Sequence, residues 1–172
     1  MIQTLNIEIE KAIRLIFERS PVANDNTRKP VLFHDIRVGT YLYENNYSRD
    51  IVLAGFLHDA LEFMGVKGDE IKNEFGENVL KLVLANSKDE SIDKTQRNEE
   101  LIKRCVAAGQ DALIVKVADT IDSFKYYTSV NNDNQLQNYC LVITDLVFKY
   151  LPSDFNDKIF GELKLWQSKF TK

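Results

Sequence analysis

Apolar residues recur every third or fourth position along most of this chain, a period that folds into helices burying one face each and leaves little room for strands. Leu5, Ile9, Ala12, Ile13, Ile16 and Phe17 share one face of a first helix, which Ser20-Pro21 stops. The polar stretch PVANDNTRKP is then a loop. After it, Val31, His34, Val38 and Leu42 define a second helix ending near ENNY, and Ser48 is placed to cap a third containing Ile51, Val52, Ala54, Phe56 and Leu57 that ends before Gly65.

The segment KGDEIKNEFGENVLKLVLANSKD reads as a short helix broken at Gly76 and a second one with Val79, Leu80, Val83 and Leu84 inward. Further helices are expected from Glu99 toward Gly109, from Asp111 to about Val130, from Asn134 to Tyr150 and from Ser153 to Phe170. ALIVKVAD is rich in β-branched residues and resembles a buried strand, but the pattern continuing through Ile121 and Phe124 favours helix. No internal repeat or low-complexity segment interrupts the pattern. The expected fold is all-α, a compact bundle of about eight helices in one domain.

The length of 172 residues suits one core. Hydrophobic residues at 44% and charged residues at 28% exclude a disordered or membrane chain, and a net charge of -4 supplies no basic field to gather nucleic acid. Glu8, Glu10 and Glu18 near the N-terminus are wrong for a signal peptide, and no apolar run approaches the roughly 20 residues of a membrane span. Cys105 and Cys140, without CxxC spacing, read as reduced buried thiols, so a cytoplasmic location is expected.

The chemistry lies in the stretch AGFLHDALEF. His58-Asp59 sits in an apolar run where an ionisable pair is costly unless something compensates for its lost hydration. The only other histidine, His34, also falls on an apolar helix face, and Asp119 in IVKVADTIDSF is a second carboxylate embedded in an apolar helix. Neutral imidazole with carboxylate is the ligand set of a first-row divalent cation such as Mn, Fe, Co, Ni or Zn.

The order His34, then His58-Asp59, then Asp119 resembles the HD superfamily of metal-dependent phosphohydrolases across roughly residues 28 to 127, with the C-terminal helices, 134 to 170, packing on that core. The resemblance is sharpest to the alarmone (ppGpp) hydrolases, whose HDxxED motif reads HDALEF here, followed by EIKNEFGENVLKLV and ALIVKVADTID. It implies that His34, His58, Asp59 and Asp119 are metal ligands, that Glu62 is a catalytic acid or base, and that the metal is manganese, with Fe, Co, Ni, Zn and Mg as alternatives. The spacing agrees on Glu62, three and four residues beyond Asp59 and His58. Two positions depart from the branch: Phe63 replaces the second acid, and Ser123 replaces an Asn that contacts the ribose side of the substrate.

A phosphate substrate calls for further cations. Arg28 and Lys29 lie where the branch has a basic stretch meeting the nucleotide, Arg37 lies three residues after His34, and Lys116 lies three before Asp119. With Ser123 they form the expected substrate-binding set; Arg97 is a weaker candidate. Asp122 suits either a role behind the metal ligands or a solvent-facing one. Phe124, Tyr126 and Tyr127 read as core or rim, SKDESIDKTQRNEE as a solvated loop and helix start, and Trp166 and Phe170 as packing or a dimer contact, so a homo-oligomer is one expected state. The expected function is hydrolysis of a small nucleotide substrate by an alarmone-like 3′-pyrophosphohydrolase, with no nucleic-acid or membrane partner. The alternatives are a 5′-nucleotidase or other nucleotide phosphohydrolase, and a metal- and nucleotide-binding domain without turnover.

Overall fold

The computed structural model describes residues 2–22 and 28–171, with side chains from Thr4 onward. Residues 23–27, in the expected PVANDNTRKP loop, lie outside them. Helix α1 spans Ile2–Arg19, α2 Val31–Glu44 and α3 Arg49–Leu57, with Ser48 preceding α3 as its cap position although its side chain makes no capping bond. The expected single helix through AGFLHDALEF is interrupted: α3 stops at Leu57, and a short α4, Ala60–Phe63, begins after Asp59. His58 and Asp59 are the two residues in the break, so the helix opens where its ionisable side chains stand.

Helices α5, Gly68–Phe75, and α6, Glu77–Asn86, meet at Gly76, whose φ of 103° lies in the region that favours glycine; this is the physical reason for the expected break. Helix α7 covers Arg97–Ala108 and α8 covers Gln110–Ser129. The β-branched ALIVKVAD is helical because α8 is the centre of the bundle. Every residue from Ala112 to Phe124 is buried, and α2, α3, α6, α7 and α11 all pack on it.

Two expectations need correction near the C-terminus. The helix expected over Asn134–Tyr150 is a short α9, Asp133–Gln135, a π-helical stretch, Leu136–Leu141, and then α10, Val142–Tyr150. The last helix, α11, starts at Lys158 and not near Ser153: Leu151 is extended because it precedes Pro152, and Asp157 supplies the cap by accepting the Ile159 N–H at 2.9 Å. α11 ends at Ser168, and Trp166 and Phe170 stack on buried Phe124 with ring centroids 6.0 and 5.6 Å apart. Cys105 and Cys140 are buried free thiols, each pushed up to about 12 by burial. No helix among the described residues is long and apolar enough to cross a membrane.

The crossing of α2 and α3, the most extensive helix pair, positions the site. Gly39 lets the Phe56 ring lie against the α2 backbone: a Cβ there would fall 2.3 Å from the ring. A Cβ on Gly55 would fall 2.5 Å from Leu42 Cδ1 and 3.2 Å from the Gly39 backbone. Gly39→Ala is therefore expected to destabilise the protein by about 1–3 kcal/mol through overpacking, read as a lower melting temperature by circular dichroism. An unchanged melting temperature would show that the crossing has slack.

Candidate metal centre

Helix α2 carries His34, the break after α3 carries His58 and Asp59, and α8 carries Asp119; the close crossing of α2 and α3 brings the two imidazoles together over α8. Their Nε2 atoms stand 3.1 Å apart, and Asp119 Oδ1 lies 3.0 Å from His34 Nε2 and 4.0 Å from His58 Nε2. Asp59 Oδ2 is 3.7 Å from His58 Nε2. Both histidines and Asp119 are buried.

The far nitrogens fix the tautomers. His34 Nδ1–H donates to Asp122 Oδ2 at 2.6 Å, and His58 Nδ1–H donates to the Gly55 carbonyl at 2.9 Å. Both Nε2 atoms therefore present lone pairs toward each other and toward a carboxylate. Burial keeps the His58 imidazole below its ordinary pKa, hence neutral.

Acceptors converging in this way repel unless a cation lies among them, and the ammonium of Lys29 is one such cation: it donates to His34 Nε2 at 2.6 Å, to Ser123 Oγ at 2.8 Å and to Asp119 Oδ1. The donor set also fits a metal. Ligands about 2.1 Å from one divalent ion stand roughly 3–4 Å apart, as these do. One donor atom each of His34, Asp35, His58 and half-buried Asp59 also lies within 4.8 Å of the others, a group that includes Asp35 and not Asp119. The centre can hold a divalent cation.

Charges around the centre set the ionisation of its acids. Burial would raise the Asp119 carboxyl, but the ammoniums of Lys116, 2.6 Å from Oδ2, and Lys29 outweigh it and hold Asp119 well below the carboxylate range. Burial likewise opposes ionisation of Asp122, yet hydrogen bonds from His34 and Arg37 bring it down to about 2. Asp35 is the exception. It is fully buried, neither carboxylate oxygen has a hydrogen-bond partner, and burial together with Asp59 raises its pKa well above normal.

Beside the centre lies a cavity of about 260 Å³ whose wall includes Lys29, Asp59, Glu62, Lys88, Lys116 and Asp119. Arg28 and Phe63 also line it and continue into an adjoining groove that reaches Lys94 and Arg97. Glu62 accepts the Lys88 backbone N–H at 2.5 Å, and its carboxyl is raised by burial against the lowering effect of Lys88, whose Nζ lies 3.9 Å away.

The expected substrate set is thus divided. Arg28, Lys29 and Lys116 face this cavity. Arg37 does not: its Nε and Nη2 hold both oxygens of Asp122 at 2.7 and 2.8 Å, and it lines a separate cavity with Tyr41 and Lys125. Ser123 is fully buried, donating to the Asp119 carbonyl at 2.8 Å and accepting from Lys29. Arg97 donates to the Ile92 and Glu90 carbonyls and so ties down its own loop.

Sequence reasoning missed Lys88, taken as part of a solvated loop, and Tyr139, which faces the cavity from the π-helical stretch with its hydroxyl 3.4 Å from Lys116 Nζ. It also missed Asp35, although the signal was present: each of the two histidines is followed directly by Asp.

Residues 12–145 match the sequence profile of the HD domain. The chain belongs to the HD-domain family. Among its relatives is a guanosine-3′,5′-bis(diphosphate) 3′-pyrophosphohydrolase of Aquifex aeolicus, 31% identical over 121 residues that cover 69% of this chain and 17% of that protein. Another is the enzyme of the same name, MESH1, of Danio rerio, 25% identical over 123 residues, 70% of this chain and 65% of that one. The chain thus spans under a fifth of the Aquifex relative and just under two thirds of the fish one. A solved structure described as a metazoan ortholog of SpoT that hydrolyses ppGpp superimposes with a TM-score of 0.77 over 94% of both chains at 20% identity, which establishes the shared HD-domain fold.

Asp122 gives this region a pH signature. Its folded pKa of about 2 lies below the ordinary 3.8, so its contribution to stability is complete above the ordinary value and is lost as pH falls toward 2. Asp122→Asn is expected to flatten the fall in melting temperature of the chelator-treated protein between about pH 4 and pH 2. An identical acid limb in the variant would contradict the ion-pair geometry.

Proposed function

We propose that this HD-family chain is a metal-dependent phosphohydrolase of nucleotides, with guanosine 3′,5′-bis(diphosphate) as its substrate and pyrophosphate from the 3′ position as the product released by water. The observation that carries this reading is the pair of facing Nε2 lone pairs with Asp119 beside a cavity edged by lysines. The names of the relatives, which act on that alarmone, support the substrate.

In this reading His34, His58, Asp59 and Asp119 would hold the cation, manganese by resemblance to the alarmone branch. A divalent ion held there would supply Lewis acidity, making water a better nucleophile and offsetting phosphoryl charge. Glu62, on the cavity wall and raised by burial, takes a proton from water and passes it to the departing nucleoside oxygen. The Lys88 backbone N–H holds one Glu62 oxygen, and the other, 3.9 Å from the Lys88 ammonium, is the one available for that exchange. Lys88 and Arg28 face the phosphate groups from the cavity wall.

Phe63 favours a second reading. It stands where the alarmone branch has an acid and lines both the cavity and the groove with an apolar ring, so the acid that assists the alarmone reaction is missing, and a nucleoside monophosphate yielding inorganic phosphate is the alternative substrate.

The test is a manganese-supplemented hydrolysis panel of ppGpp, nucleoside and deoxynucleoside mono- and triphosphates and cyclic nucleotides, scoring phosphate and pyrophosphate separately. Pyrophosphate from ppGpp supports the first reading; phosphate from a monophosphate replaces it with the second. Glu62→Gln is expected to keep the metal and lose turnover by about 100-fold or more, whereas His58→Ala loses metal and turnover together. Undiminished turnover in Glu62→Gln would remove the role given to that carboxylate. Phe63→Asp is expected to raise ppGpp hydrolysis, and no rise would count against the alarmone.

A further inference from the structure

The two imidazoles of the centre are arranged alike. Their Nε2 atoms converge at 3.1 Å, and the Nδ1 of each looks away toward an acid on a neighbouring helix. For His34 that acid is Asp122 of α8, at 2.6 Å. For His58 it is Asp35 of α2, whose Oδ1 lies 3.7 Å from Nδ1, just beyond the Gly55 carbonyl that accepts the proton at 2.9 Å.

Asp35 contributes nothing to the fold that would account for it. It is fully buried, both oxygens are without a hydrogen-bond partner, and no lysine or arginine ion pair reaches it among the described residues. An unpaired buried carboxylate is destabilising, and an aliphatic residue on this face of α2 would pack without that cost.

A histidine that gives its Nε2 lone pair to a cation holds its Nδ1–H more acidic, and such a proton is commonly received by a carboxylate, which orients the ring and strengthens the ligand. We propose that Asp35 is the positioning residue of His58, receiving the Nδ1–H together with the Gly55 carbonyl when a divalent cation binds at Nε2, so that each histidine of the centre is backed by its own aspartate. The proposal rests on the metal-centre reading and is independent of which nucleotide is hydrolysed.

The test uses the full chain freed of metal by chelation and titrated calorimetrically with Mn²⁺. Asp35→Asn, which keeps the shape and replaces the acid, and Asp35→Leu are both expected to bind Mn²⁺ about 10- to 100-fold more weakly than the wild type. The metal-free Asp35→Leu protein is expected to melt higher by at least about 2 °C, since relief of a buried unpaired carboxylate acts on the apo protein alone. A residue with a purely structural role would instead lower the melting temperature and leave the affinity unchanged, and that pair of results would overturn the proposal. Should the variants fail to fold, the wild type labelled with ¹⁵N-histidine and titrated with diamagnetic Zn²⁺ decides the matter. A downfield shift of the His58 Nδ1–H resonance on loading supports Asp35 as its partner, and an unmoved resonance rejects it. Failure of the wild type to bind either ion would remove the metal centre itself, whereas binding unaffected by Asp35 removes only this inference.

Discussion

The site exists because two helices approach closely enough for their backbones nearly to touch. Gly39 on α2 admits the Phe56 ring, Gly55 on α3 comes against Gly39 and Leu42, and the histidines that follow from this crossing stand with their Nε2 atoms at contact distance. A side chain at either glycine would separate α2 from α3 and, with them, two donors from the same centre. The third helix, α8, then needs only to present Asp119 beneath the pair, and its packing against α2 and α3 sets that height. Packing and chemistry are in this sense one constraint: the apolar crossing determines the spacing of polar groups that the apolar core would otherwise exclude.

Around the centre, positive and negative groups are nested so that each buried acid except Asp35 has a counterpart. Lys116 and Lys29 hold Asp119 ionised, and Arg37 and His34 hold Asp122 ionised. Such pairs contribute less to stability than their closeness suggests, because each ion has lost its water. Their value is orientation. Arg37 grips both oxygens of Asp122, Asp122 fixes the His34 ring, and His34 presents one lone pair in one direction.

Much of this was legible in the sequence, and the failures have identifiable causes. The helical period located α1 to α3 and α5 to α8 within a few residues, and Gly76 marked its break because a left-handed φ is a local property of one residue. The fourfold order of His34, His58, Asp59 and Asp119 was visible because ionisable residues are rare on apolar faces. The break at His58-Asp59 was not, since both residues keep right-handed helical angles and no Gly or Pro announces it. The π-helical turn that brings Tyr139 to the cavity was equally hidden, because it violates the period by which helices are read. Arg37 was assigned to substrate on the strength of sharing a face with His34. That argument ranks neighbours on one helix and is blind to Asp122 on another.

Helix α8 carries a further consequence. A surface helix has a solvent face on which substitutions accumulate at little cost, but from Ala112 to Phe124 this helix has none, being enclosed by α2, α3, α6 and α7 and braced from the far side by the stacked rings of Trp166 and Phe170. Each change there alters a packed contact, a charge partner of the centre, or both. The cavity rim differs: changes at Arg28, Phe63 and the loop after α6 would leave in place the helix that everything else is built around.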